Sequence, residues 1–124
     1  MELQDIRFAG QRLIEAYGDK GFRLSDGRLE GSILILPTGA VPFKADQPED
    51  FNADLFAPIF EPEFNIEILL LGTGLKQQFP SSELRKAFIA QNIALEVMDT
   101  GAACRTYNVL VSEDRRVAAA LIAI

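Results

Sequence analysis

The sequence predicts an α/β domain: a β-rich N-terminal half followed by a β-α-β-α-β unit with a mainly parallel sheet. Three observations carry this. "NIEILLLG" (65–72) ends in an uninterrupted apolar run of the kind a parallel sheet buries on both faces. Two later segments, each opened by Ser or Thr, repeat apolar residues at helical spacing. Two short apolar stretches, "IALEVM" (93–98) and "VAAALIAI" (117–124), alternate with those segments, as βαβ units require.

In the first third, Leu13, Ile14, Tyr17, Phe22 and Leu24 lie around Gly18 and Gly21, which predicts short strands separated by turns. Ser25-Asp26-Gly27-Arg28 has tight-turn chemistry. Ile33 to Leu36 is a short apolar run stopped by Pro37 and predicts a buried strand. "TGAVPF" adds a brief strand that Pro42 confines to an edge or a bulge, because proline donates nothing to a ladder.

From Pro37 to Phe64 the composition changes: five of the six prolines and five of the nine phenylalanines fall here, among many carboxylates. Phe51, Leu55, Ile59 and Phe60 approximate helical spacing, but Pro58 should cut any helix short. The expectation is a long connection that tucks its rings under the core; the competing one is an acidic, aromatic docking surface. In the second half, Pro80-Ser81-Ser82-Glu83 opens a helix with a serine cap and a stripe of Leu84, Ala87 and Phe88, and Asn92 is its stop. Thr100 is expected to cap the next helix, which runs to about Ser112 and turns Ala103, Thr106, Tyr107 and Leu110 towards a sheet. "VAAALIAI" closes the chain as a strand that could lie at an open edge and pair with another copy.

With 124 residues, the chain is one domain (1–124) by length, able to bury roughly two-thirds of its unfolded surface. Twelve Lys and Arg against 18 Asp and Glu give a net charge of −6 and a pI near 4.6. That sign disfavours nucleic acid and anionic membranes as partners. A single cysteine fits a reducing compartment. "MELQDIRFAG" lacks the basic leader and apolar core of a signal peptide. The longest apolar run has eight residues where a membrane helix needs about 20, so no direct membrane insertion is expected. The expected location is cytoplasmic.

The chain has no histidine. Ser-His-Asp and Cys-His catalysis and histidine metal sites are therefore excluded, and one cysteine cannot build a thiolate cage. Neither a cofactor nor a resident metal is expected. Asp99-Thr100-Gly101-Ala102 resembles an aspartic-protease loop, but that chemistry needs two carboxylates in an all-β setting, and a helix follows here. Cys104 beside Arg105 in the first turns of a helix could have a depressed pKa, yet nothing can activate it, and a lone cysteine is usually a small buried hydrophobe. "LLLGTGLKQ" fails as a dinucleotide fingerprint, since Gln77 stands where the third glycine belongs. If the strands run parallel, Gly72-Thr73-Gly74 and Asp99-Thr100-Gly101 share the carboxyl-terminal sheet edge where α/β proteins bind ligands. A ligand or partner site is then expected at Thr73, Gly74, Lys76, Asp99, Thr100, Cys104 and Arg105. Against it, Asp99 repels anions and could simply pair with Arg105 or cap the helix.

"ILLLGTG" and "EVMDTGAACRTYNVLVSEDRRVAAALI" resemble the domain-of-unknown-function family that includes mitochondrial respiratory complex I assembly factor 3, a vertebrate adipogenesis-associated member and many small bacterial and archaeal proteins. "YGDKGFRL" and "GSILILP" match less specifically, and the length and lack of a presequence are similar to those of a proteobacterial member. The resemblance implies a compact three-layer fold and no established catalytic activity. It implies for the mitochondrial relatives a role in assembling complex I at the inner membrane; some bacterial relatives are encoded near protein-export genes. No site residues carry over. The first functional expectation is thus a non-catalytic interaction or assembly protein with an unknown protein partner, serving a membrane-associated, respiratory-type complex. The second is a small-molecule binder or enzyme using the crevice at the strand ends.

Overall fold

A computed structural model describes residues 13–124; the N-terminal stretch read for a leader, residues 1–10, lies outside them. Strands β1 (Ile14–Gly18), β2 (Gly21–Leu24) and β3 (Gly27–Glu30) form an antiparallel meander. Asp19 and Lys20 both take left-handed φ values, 53° and 63°, in the turn between the first two strands. Two positive φ angles match the twist of a tight hairpin, and the Arg28 guanidinium braces the turn by donating to the carbonyls of Gly18 and Asp19.

Strands β4 (Ile33–Leu36), β5 (Gly39–Pro42), β6 (Ile68–Gly72), β7 (Ala94–Met98) and β8 (Val117–Leu121) build a second sheet in the order β5-β4-β8-β6-β7. β6 pairs in parallel with β7 and β8, whereas β4 pairs antiparallel with β5 and β8. The sheet is therefore mixed: its β-α-β-α-β portion is parallel, and the β4–β5 hairpin adds two antiparallel ladders. Pro42 does lie on an edge strand.

The expectation of an open edge at β8 is overturned. β8 sits between β4 and β6 with all five of its residues buried. Right-handed crossovers that run in opposite directions along a sheet place their helices on opposite faces. Helix α1 (Ser82–Ala90) carries the chain from β6 to β7 on one side; helix α2 (Thr100–Ser112) carries it back past β6 to β8 on the opposite face. The edge at that end is β7.

Side chains alternate between the two faces of the sheet, as the pleat requires. Leu34, Leu36, Leu69, Leu71, Ala118 and Ala120 join one cluster, with α1 residues Leu84 and Phe88 and the central segment's Phe43, Phe56 and Ile59. Ile33, Ile35, Leu70, Val117, Ala119 and Leu121 join the other, with α2 residues Ala103, Cys104, Tyr107 and Val111 and with Phe22 and Leu24 of the meander. The central segment thus does tuck rings under the core. Phe43, Phe51, Phe56, Phe60 and Phe88 form a chain of ring contacts with centroids 5.1–5.9 Å apart. The helix there is a 3-10 helix, Ala53–Phe60, with Asn52 accepting from the Leu55 N–H at its start and Pro58 inside.

Helix α1 is capped as expected: Ser81 Oγ accepts from the Leu84 N–H, and Asn92 takes the left-handed conformation just past the end. On α2 the buried stripe is Thr100, Ala103, Cys104, Tyr107 and Val111. Cys104 and Val111 replace the expected Thr106 and Leu110, which are only partly buried. The rotation follows from a second contact on the helix flank. Asn108 accepts from the Ile14 N–H at 2.9 Å and donates to the Ile14 carbonyl at 2.8 Å, pairing β1 as a neighbouring strand would.

Candidate functional site

The carboxyl ends of β6, β7 and β8 converge where α2 begins. Gly72 lets them meet, because a Cβ there would stand 3.0 Å from the Thr100 Cα and from a Leu121 methyl. Gly74 then takes φ +105°, a conformation that side chains resist. Between them Thr73 is buried, 2% exposed. Its hydroxyl donates to the Lys76 carbonyl at 2.6 Å, lies 3.2 Å from the Met98 carbonyl and accepts from the Gln78 N–H at 3.0 Å. Its N–H donates to the Met98 carbonyl at 2.9 Å. One threonine thus ties the β6 exit loop to the end of β7.

Thr100 does the same across β8, and here the expected cap is corrected. Asp99, not Thr100, caps α2: its carboxylate accepts from the Ala102 N–H at 2.8 Å. Thr100, the first helical residue and 0% exposed, points its hydroxyl inward. Thr100 Oγ1 accepts from the Gly74 N–H at 2.9 Å and donates to the Ile122 carbonyl at 2.7 Å, while its N–H donates to the Gly74 carbonyl at 2.8 Å. Ile122 N–H donates in turn to the Gly72 carbonyl at 2.9 Å. In open α/β sheets the gap at such a switch of strand order is where ligands enter; here Thr100 bridges it.

The seven expected site residues are thereby partly assembled. Thr73, Gly74, Asp99 and Thr100 come together through main-chain contacts. Lys76 joins them only through its carbonyl, and its side chain is exposed. Cys104 lies one turn further along α2, buried. Arg105 turns outward and donates from Nη1 to the Tyr17 hydroxyl at 3.0 Å, joining α2 to the meander instead of pairing with Asp99. Spacing gives no signal for Tyr17, 88 positions away. Gln77, whose amide donates to the Val97 carbonyl at 2.9 Å and covers part of the β7 edge, was also not foreseen. Among the described residues no group of His, Cys, Asp and Glu could hold a metal ion, and no helix is long and apolar enough to cross a membrane.

Burial pushes the Cys104 thiol up to about 12; the Arg105 charge opposes this and Asp99 reinforces it. The cysteine is a protonated core residue at neutral pH, so native protein should resist iodoacetamide at pH 8 and label fully once unfolded. The pH dependence has a definite sign. A thiol held above its ordinary value stabilises the fold below that value and loses this contribution as pH rises through the folded one. Stability should therefore fall between about pH 9 and 12, and less so in Cys104→Ala, as urea titrations across that range would show. An equal fall in both proteins would remove Cys104 as a cause.

The family model described as "Protein of unknown function (DUF498/DUF598)" matches residues 14–122. Human NADH dehydrogenase [ubiquinone] 1 alpha subcomplex assembly factor 3 is 35% identical over 109 residues, which are 88% of this chain and 59% of that protein. The chain thus spans about three-fifths of that relative's length. A crystal structure of an outer membrane protein from Bartonella henselae superimposes with a TM-score of 0.85 at 40% identity, covering 94% of this chain and 98% of that one. A Bordetella pertussis protein described as a Mth938-like domain gives 0.78 at 29% identity, covering 89% and 84%. From the first strand of the meander to the Ile122 that Thr100 holds, the chain belongs to the DUF498/DUF598 family of proteins of unknown function.

Proposed function

We propose that this chain is a non-catalytic interaction protein, a single three-layer domain that acts in the cytoplasm as a scaffold in assembling a membrane-associated, respiratory-type complex. The observation that carries the reading is the 35% identity, over 109 residues, to a protein named as an assembly factor. The geometry supports it from two sides. The hydroxyls of Thr73 and Thr100, the polar groups best placed for a ligand at the strand ends, both donate to main-chain carbonyls. That favours a scaffold over a small-molecule site in the same crevice. Meanwhile Leu75, Phe79 and Ile89 stand 82%, 67% and 73% exposed on the β6–α1 connection and on α1. A protein partner that covered these side chains would remove apolar surface from water. The apolar clusters on opposite faces of the large sheet support the three-layer description.

The test is affinity capture of the tagged chain expressed at native level, from separate cytosolic and membrane fractions. A reproducible stoichiometric partner that belongs to a membrane complex is the expected result. Capture of nothing reproducible from either fraction would count heavily against the reading.

A further inference from the structure

Two adjoining clefts of about 260 Å³ each run along the junction of the central segment with the start of α1. They share Phe51 and Ser81, so together they form one groove. Pro48, Phe79 and Pro80 wall one end, and Ala53 and Leu84 the other. Each half is smaller than the roughly 300–1,000 Å³ of a small-molecule pocket. A shallow groove of this kind suits side chains presented in succession by an extended segment.

Its charge is one-sided. Glu49 lines the first cleft and Glu83 the second, and no Lys or Arg lines either. Neither carboxylate has an ion-pair partner among the described residues. The cation nearest in sequence to the groove, Arg85, lies over the Phe79 ring, 5.6 Å from its centroid. Phe79 is 67% exposed with Arg85 over its ring, and it lines the first cleft together with the half-buried Phe51. Phe43 and Phe56 anchor the central segment in the core, while half-buried Phe51 lines both clefts.

We infer that this groove docks a short extended segment of a partner protein, with an apolar side chain set against Phe51 and Phe79 between two Lys or Arg that meet Glu49 and Glu83. The inference rests on the interaction-protein reading above and specifies the chemistry of the partner. Rim carboxylates give selectivity by charge, and the aromatic faces give contact area at little entropic cost.

The probe is an array of short peptides, each with one Leu or Phe flanked on both sides by Lys or Arg, beside copies with Glu or Gln at the flanking positions. Retention of the basic set should exceed that of the Glu set by about tenfold. The double variant Glu49→Gln/Glu83→Gln should abolish the preference, and Phe79→Ser should weaken retention of the whole basic set. These side chains lie at the surface, and unchanged circular dichroism would establish that the variants fold. Equal retention of the two sets, or a preference that survives the double variant, overturns the proposal. The affinity-capture experiment separates the two readings. A cellular partner captured equally well by the groove variants removes the groove and leaves the assembly role. A groove that sorts peptides as described, with no cellular partner, removes the assembly role and leaves the groove.

Discussion

Phe56→Ala is expected to cost about 3–5 kcal/mol, the range for deleting a fully buried ring. Phe56 is 0% exposed and lies at the centre of the aromatic chain, 5.2 Å from Phe43, 5.8 Å from Phe51 and 5.4 Å from Phe88 by ring centroids. The side chain matters because of where it enters. It belongs to a 3-10 helix between prolines, in a connection with no strand of its own beyond β5. Such a segment has few backbone hydrogen bonds to the rest of the molecule, so side-chain burial must hold it. Removing the ring leaves a cavity that Phe43 and Phe88 on separate elements cannot both close. Against a total stability of about 5–15 kcal/mol, typical of domains this size, the loss is a large fraction. Urea titration of Phe56→Ala should show a greatly lowered midpoint. Phe51→Ala, at a half-buried ring, should lose less than half as much. If both variants lost under 1 kcal/mol, the segment would be loosely tethered and the groove beside it would have no fixed wall.

The sequence signals differ in how far they reach. Apolar runs and caps are local, and they locate β4, β6, β7, both helices and the strand character of β8 to within a few residues. Strand order is not local. Nothing in "VAAALIAI" distinguishes an edge from the centre of a sheet except three consecutive alanines, all fully buried at 118–120. Their small side chains let α2 approach on one face and the phenylalanine cluster on the other. The register of α2 shows the same limit, since the partner on its flank is β1, joined through Asn108 across 94 positions. The candidate site was legible only as a meeting of two glycine-bearing loops at one sheet edge. Asp99 and Thr100 are both good cap residues, so composition could not say which one caps and which one turns inward. Neither the exposure of Leu75 and Phe79 nor the Tyr17–Arg105 contact leaves a local trace in the sequence.

Thr100→Val is expected to destabilise the fold by about 3 kcal/mol through chemistry alone. Valine keeps the shape and removes the hydroxyl, stranding the Gly74 N–H without its acceptor and the Ile122 carbonyl without its donor. Each buried group left without a partner costs about 1–3 kcal/mol. The site cannot relax to admit water readily: Gly72 already brings β6 to 3.0 Å of the Thr100 backbone, measured from where a Cβ would stand. For a domain of this length the loss corresponds to a fall of roughly 10 °C in Tm. Thr100→Ser is the control, since it keeps both hydrogen bonds and gives up only a methyl group, at about 1 kcal/mol. The ordering is the informative result. If hydrogen bonding at the switch of strand order holds the three parallel strands to α2, Ser must be the milder change although Val is the better steric match. Equal stability of the two variants would mean that shape alone holds the junction. The hydroxyls there would then be free to serve a ligand, and the balance between scaffold and binding site would have to be redrawn.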